Sequence, residues 1–373
     1  MIGTALGRMR VIALIGALGA LSACASTPGP SQPTEPVTPP PVVTPGPVTP
    51  PPVPASAVSL SQLPGWGDED HLTALTAYAT GCSADRAAGS QAVCAQARSM
   101  VAGRPSPSDA RAFLEAHFLA VEVAAPEPSR ALLTSYFAPE YEARRQPDAD
   151  HDAPVLARPA GWQRGDRLAD RATIEANASA YEILGWMRAE DLFFLQIQGS
   201  GYLTFADGSR VRAAYAADNG HPFVGIARPM AEQGLLPANG TSGDAIRGWL
   251  AAHRGPEARA VMALNPRYIF FRLDPDDGGH PAGAAGIPLP ARRAIAVDPA
   301  FWTYGEPVWI EADGGNLRGA RASYRGLVMA LDTGSAIRGP VRADLYVGRG
   351  DAAGAEAGAV RHPLRMWRLV PRP

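Results

Sequence analysis

The sequence predicts a mainly β protein with helices attached. Three observations carry that expectation. Asp68–Phe118 has helical periodicity. After Leu119 come seven runs rich in β-branched and aromatic residues, mostly bounded by Gly or Pro. Strand and helix patterns then mix without the regular alternation of a doubly wound sheet.

In the helical part, Leu72, Leu75, Ala79 and Cys82 recur at one spacing, and Cys94, Ala97 and Val101 at another. Ser108 is placed to cap a helix carrying Ala112, Phe113 and Phe118. The strand runs are Leu132–Tyr141, Leu192–Phe205, Arg267–Leu273, Glu306–Glu311, Tyr324–Asp332, Val341–Val347 and Arg365–Val370. Helical patterns lie between them at about 169–178, 224–235, 242–253 and 256–264.

The 373 residues suggest about two domains at roughly 150 residues each. The 34 basic and 36 acidic residues leave a formal charge of −2, which argues against a nucleic-acid partner held by net positive charge. All 34 basic residues are arginine, so Schiff-base and lysine acid/base chemistry are excluded.

The N-terminal segment reads as an address. Arg8 and Arg10 precede the apolar run Val11–Ala20, and Leu21-Ser22-Ala23-Cys24 follows. Residues 1–23 therefore have the form of a secretory signal. The run is short of the ~20 residues a membrane-spanning helix needs. A cysteine after Leu-Ser-Ala looks like a bacterial lipobox, in which Cys24 becomes the acylated N-terminus. The alternative is a plain signal with an incidental cysteine. Ala25, in place of aspartate, favours sorting to the outer membrane. Residues 24–57 form a proline-rich linker, with 13 prolines between 25 and 57. Such a stretch cannot bury a core, and extended it spans on the order of 90 Å.

Cys82 and Cys94 remain. In an oxidising compartment they either pair across two short helices or stay as two buried thiols. The seven histidines (His71, His117, His151, His221, His253, His280 and His362) show no metal-ligand spacing, and most are expected at the surface. No metal and no cofactor is expected. Gly199-Ser200-Gly201 lacks a nucleophile elbow and reads as a tight turn. It follows an expected strand, Phe193–Gln198, in which Phe194, Gln196 and Gln198 share one face. That face suits a sugar or bulk solvent equally.

The strongest local signal is an apolar strand ending in Asp332-Thr333-Gly334-Ser335, followed by Asp344 inside the apolar run Val341–Val347. Burial raises a carboxyl pKa, as a general acid needs. Both aspartates could instead be caps bonded to backbone amides. Asp-Thr-Gly-Ser looks like an aspartic protease turn, but that chemistry needs two such turns and the chain has one. Glu140 and Glu142, on one strand face, are a further carboxylate pair or an exposed edge.

More of the chain fits a second family. Val297-Asp298-Pro299, Val308-Trp309-Ile310, Asp332 to Gly339 and Asp344-Leu345-Tyr346 resemble the three-aspartate domain. Gly348-Arg349-Gly350, Ala357-Gly358 and Met366-Trp367-Arg368-Leu369 continue the likeness. Upstream, Gln198-Gly199-Ser200-Gly201-Tyr202, Phe205, Asp207-Gly208-Ser209 and Asn219-Gly220-His221 resemble the membrane-bound lytic murein transglycosylase A family. Asn265-Pro266 and Phe270-Phe271-Arg272 do too, so the resemblance runs in order from Tyr136 to Leu369. Ser335 and Arg338 stand where the family has glycine and lysine, and Ser135-Tyr136-Phe137-Ala138-Pro139 follows its Gly-Tyr-Tyr-x-Pro only loosely.

The resemblance implies a double-psi β-barrel with an inserted β-rich domain and a groove between them. Residues 58–154 would hold the N-terminal helices and first barrel part, 155–265 the insertion, and 266–373 the rest of the barrel with the three aspartates. It implies cleavage of peptidoglycan between N-acetylmuramic acid and N-acetylglucosamine, leaving a 1,6-anhydro ring. Asp344 would be the acid/base, with Asp332 and Asp298 orienting it, raising its pKa or binding sugar. Gln198, Gly199, Ser200 and Asp207 would line the opposite wall. The partners implied are glycan strands and, through the lipid, the periplasmic face of the outer membrane. A monomer is expected. A wall-binding lipoprotein without catalysis is the other class of function.

Overall fold

The computed structural model describes residues 56–237, 240–315, 317 and 321–373. The signal sequence, Cys24 and most of the linker lie outside the described residues. Among the described residues no helix is long and apolar enough to cross a membrane.

Three helices open the fold: α1 (His71–Gly81), α2 (Ala88–Ala102) and α3 (Pro107–His117). Asp70 caps α1, its carboxylate accepting from the Thr73 amide at 3.1 Å. The cap of α3 is Ser106, not Ser108. Ser106 and Asp109 form a reciprocal capping box ahead of Pro107, whose missing N–H costs nothing at a first helical position. Phe118 is already extended. Cys82 ends α1 and Cys94 sits inside α2, and the two form a disulfide with Cα atoms 5.6 Å apart. Leu75, Tyr78 and Leu114 are buried beneath these helices. Each such side chain contributes about 1.5–3 kcal/mol.

The helices pack on a nine-stranded sheet formed by the chain's flanking parts. Its strands are β1 (Val58–Ser59), β2 (Phe118–Glu122), β3 (Leu132–Ala138), β10 (Ala294–Ala296), β11 (Pro307–Asp313), β12 (Ser323–Asp332), β13 (Arg342–Arg349), β14 (His362–Pro363) and β15 (Arg365–Pro371). The order is β1-β2-β15-β11-β12-β10-β13-β3-β14. Two pairs are parallel, β10 with β12 and β3 with β13, and the others are antiparallel. A buried ion pair fastens the N-terminal segment to this sheet. Arg293 reaches Glu69 at 2.6 Å, and the other Glu69 oxygen accepts from the Leu327 amide at 2.8 Å. The helix α9 (Gly350–Ala357) covers β3 and β13 on the opposite face.

A smaller four-stranded sheet runs β4 (Glu140–Ala143), β7 (Gly201–Phe205), β8 (Arg210–Asp218), β9 (Ile269–Pro275). A third sheet pairs β5 (Ala153–Leu156) with β6 (Ile183–Met187). Around them lie α4 (Arg171–Ala176), α5 (Ala189–Gln198), α6 (Ala227–Glu232), α7 (Gly243–Ala252) and α8 (Pro256–Met262). The run Leu132–Tyr141 is thus two strands in two sheets. Pro139 separates them, because proline cannot donate to a ladder.

Two further expectations are corrected. Phe193–Gln198 is the end of helix α5, not a strand. Glu190 and Asp191 lie in its first turn, favourable to the helix dipole, and Gly199 ends it at φ +83°. Leu192 and Leu195 face one core while Phe193 faces another. A helix buried on two sides loses its amphipathic stripe, so its apolar run mimics a buried strand. Gln196 and Gln198 consequently do not share a face. The histidines are also less exposed than expected, since His71, His151 and His362 are buried. Imidazole is small enough to enter a core against aromatic rings, as His71 does against Trp66 and His362 against Tyr324.

Candidate active site

Strand register brings Asp332 and Asp344 together. Ala296 on β10 pairs with Asp332 on one side and Asp344 on the other. The β10–β12 pairing carries a bulge. Ala294 meets Met329 and Ile295 meets Ala330, but Ala296 meets Asp332, so Leu331 is an extra residue. A one-residue shift reverses side-chain direction, and bulges re-aim side chains beside active sites. Here the bulge turns Asp332 to the face that Asp344, Tyr346 and Tyr136 share.

Asp332 is tightly held. Tyr136 donates its phenol to Oδ2 at 2.7 Å, and the amides of Ala284 and Thr333 both donate to Oδ1 at 2.9 Å. Burial nevertheless pushes its carboxyl up, against those three donors. The Tyr136 phenol is itself raised far above its ordinary value, by burial and then by the Asp332 charge, so it stays a proton donor in the hydrogen bond.

Asp344 has fewer partners. The Thr134 hydroxyl on β3 donates to its Oδ1, and Thr134 in turn accepts from Arg342 Nη2 at 2.9 Å. Burial raises the Asp344 carboxyl. The Thr134 bond and the Arg342 charge oppose that rise, and the Asp332 charge adds to it. Burial, more than like-charge repulsion, is therefore what favours the protonated form.

Asp298 does a different job. It is buried just beyond β10, with Oδ2 accepting from the Gly339 amide at 2.8 Å and Oδ1 from Ala300 at 3.1 Å. Arg338 approaches Oδ1 at 3.4 Å. Burial alone would raise this carboxyl, but the two amides and Arg338 outweigh it and hold it below the ordinary range. Asp298 thus stays charged and pins the loop that joins Asp332 to Asp344. The Thr333 hydroxyl, bonded to the Val297 carbonyl at 2.9 Å, pins the other end of that loop.

The expected opposite wall is only partly gathered. Gln198, at the C-terminal end of α5, accepts from the Phe137 amide at 3.2 Å and so touches the strand carrying Thr134 and Tyr136. Gly199 is the left-handed cap and Ser200 is half-buried beside it. Asp207 lies apart, at the exposed β7–β8 turn. It accepts from the Ser209 amide at 2.9 Å and pairs with Arg145 at 3.3 Å. Glu140 is engaged by Arg349 at 2.7 Å and Arg210 at 3.2 Å, and Glu142 by Arg144 at 3.3 Å, so the two glutamates answer different arginines.

Thr134 and Arg342 were not singled out from sequence, and Tyr136 was noted without a role. A period-two signal existed, since Thr134 and Tyr136 share one face of β3. Their partners lie 210 and 196 residues away, and only the fold reveals that pairing.

The fold and site define a β-rich protein that presents two elevated carboxyls on one sheet face, with a third aspartate bracing their loop. Residues 132–272 match the MltA specific insert domain and residues 293–370 the 3D domain. The chain is 34% identical over 244 residues to a membrane-bound lytic murein transglycosylase A of Vibrio cholerae. That match covers 64% of this chain and 65% of the relative, so it spans just under two thirds of the curated protein's length. It also resembles a membrane-bound lytic murein transglycosylase from Agrobacterium tumefaciens, with TM-score 0.68 and 31% identity, over 85% of this chain and 97% of that one. Escherichia coli MltA with bound chitohexaose superposes with TM-score 0.64 at 28% identity, over 82% and 89% of the two chains. The chain belongs to the membrane-bound lytic murein transglycosylase A family.

Proposed function

We propose that this chain is a lytic transglycosylase acting on peptidoglycan, with Asp344 as its single acid/base. The observation that carries the proposal is an elevated carboxyl, Asp344, held from one side by Thr134 and set across β10 from a second carboxyl. In the first step, protonated Asp344 gives its proton to the oxygen linking N-acetylmuramic acid to N-acetylglucosamine, and the C1–O bond breaks. In the second, the muramic acid C6 oxygen bonds to C1, and its proton returns to Asp344. The 1,6-anhydro ring closes without water, so one carboxyl suffices where ordinary glycosidases use two. Asp332 orients the sugar or the acid through its Tyr136-bonded carboxylate, and Asp298 keeps the loop in place. Gln198, Gly199 and Ser200 border the glycan, and Asp207 meets it at a distance.

The finer architecture belongs to the same proposal. The parallel pairs within the large sheet support a double-psi barrel, built from residues 58–154 and 266–373, with 155–265 as the inserted domain and a groove between. A Cys24 lipid anchor on a proline-rich tether would place a monomeric enzyme at the periplasmic face of the outer membrane. A relative bound to chitohexaose supports an oligosaccharide ligand. The protease reading has no such support. A proton-sharing dyad takes each aspartate from its own Asp-Thr/Ser-Gly turn, and the chain has one such turn.

The test is digestion of purified peptidoglycan in 18O-labelled water. We expect 1,6-anhydro muropeptides free of the label. Reducing ends carrying 18O would identify a hydrolase instead. Retention on the wall with no release would identify a binder.

A further inference from the structure

The structure holds a second, chemically different recess. It lies between α5 and α7, has a volume of about 350 Å³, and is lined by Arg188, Glu190, Asp191, Asp244, Arg247 and Arg254. Most of these charges are matched. Arg247 Nε meets Asp191 at 3.0 Å, and Arg254 meets Glu190 at 2.7 Å. Two are not. Among the described residues, Arg188 and Asp244 make no side-chain hydrogen bond or ion pair. The Arg188 Nε is sealed from solvent with no acceptor, as is the second Glu190 oxygen with no donor.

We infer that this recess binds a short zwitterionic peptide, and that the peptide is the stem carried by the glycan strand. The inference rests on the glycan-cleaving reading above. One unmatched cation and one unmatched anion in a single recess select a ligand bearing both a carboxylate and an amine. A neutral sugar can hydrogen-bond either group but neutralises neither charge. A polyanion would meet Asp244, Glu190 and Asp191. Bidentate capture of a carboxylate is what a free guanidinium does best.

The geometry allows one substrate to reach both places. Helix α5 carries Arg188 at its N-cap and Gln198 at its last turn. Ten helical residues span about 15 Å. A four-residue stem, extended at about 3.3–3.6 Å per residue, covers nearly the same distance. Arg188 and Gln198, at opposite ends of α5, therefore lie within one stem's reach of each other.

The experiment uses the full chain and the tripeptide L-Ala-γ-D-Glu-meso-diaminopimelate. Calorimetry should detect its binding to the native protein, with Arg188→Ala and Asp244→Ala each weakening it about tenfold. Asp244 is exposed in the first turn of α7, so its variant keeps the test sound if Arg188→Ala fails to fold. The companion measurement is the ratio of kcat/KM on stem-bearing strands to that on amidase-stripped strands. That ratio should fall about tenfold in both variants. Absent tripeptide binding, or a ratio unmoved in both, overturns the inference while cleavage of stripped strands leaves the glycan reading intact. Tripeptide binding with no cleavage of any strand would overturn the glycan reading and leave the recess as a peptide site.

Discussion

Thr134 donates its hydroxyl to Asp344 across a parallel strand pair whose two members are separated by 210 residues of chain. The same hydroxyl accepts from Arg342 at 2.9 Å, so a cation reaches the carboxyl through one intermediary. This short relay opposes the rise that burial imposes on the Asp344 carboxyl.

Replacing Thr134 by valine keeps the shape and removes the relay. The bond to Thr134 lowers the Asp344 carboxyl, so its loss should raise that carboxyl further. The alkaline limb of the pH–rate profile should move to higher pH. Stability should fall by about 1–3 kcal/mol, the cost of a lost bond to a charged or buried group. An unmoved alkaline limb would show that Thr134 does not act through Asp344.

Asp344→Asn should cut turnover at least about 100-fold, the lower range for removing a general acid, while glycan retention persists. Its stability should respond to pH in the opposite sense to a salt-bridged carboxylate. The folded carboxyl titrates above 3.8, so the native state holds the extra proton in the intervening window. The stability this gives is complete below pH 3.8 and is lost as pH rises through the folded value. Asparagine cannot ionise, so the variant should melt higher than the native protein at pH 8, with the gap closing towards pH 3. A lower melting point at pH 8 would contradict the burial argument. If Asp344→Asn is active and Asp332→Asn is dead, the two roles are exchanged.

Gly201→Ala tests the junction between α5 and the strand bearing Tyr136. An added methyl would sit 2.7 Å from the Pro139 oxygen and 2.6 Å from Leu195. The adjacent Tyr202 amide donates to that same oxygen at 2.8 Å, so the backbones have little room to part. Overpacking of this kind costs about 1–3 kcal/mol. Gln198 should lose its contact with Phe137, seen as weaker glycan retention together with a lower melting point. A variant that melts like the native protein would mean the junction yields.

Reduction of Cys82–Cys94 should lower unfolding free energy by about 2–4 kcal/mol, as expected for closing a short loop. Both cysteines are buried, so reductant should act only after unfolding. The check is the denaturant midpoint with and without reductant. Rapid reduction of the folded protein would contradict that burial.

Most of the fold was legible because strand and helix periods act locally. Six of the seven strand runs overlap strands along most of their length and the four later helical patterns contain α4, α6, α7 and α8, whereas β1, β2, β5, β6, β8, β10 and β14 were not anticipated. The strand at Leu192–Phe205 failed in its first half, since α5 is enclosed by two cores and reads as uniformly apolar. The proline that divides β3 from β4 was visible, but its assignment of the two halves to different sheets was not. At the site, the aspartates announced themselves by interrupting apolar strands. Thr134 and Arg342 did not, because a hydroxyl on a half-buried strand and an arginine at a strand start are ordinary until register joins them. The bulge at Leu331 was equally silent, though it decides which way Asp332 points.

The pairing of β3 with β13 also bears on when activity can arise. Synthesis proceeds from the N-terminus, and Thr134 emerges long before Asp344. Contacts between such remote segments form late and slowly. A chain still in transit, or one cut short before Arg342, carries no competent carboxyl relay. By topology alone, the Thr134–Asp344 contact waits until the later strand has been made.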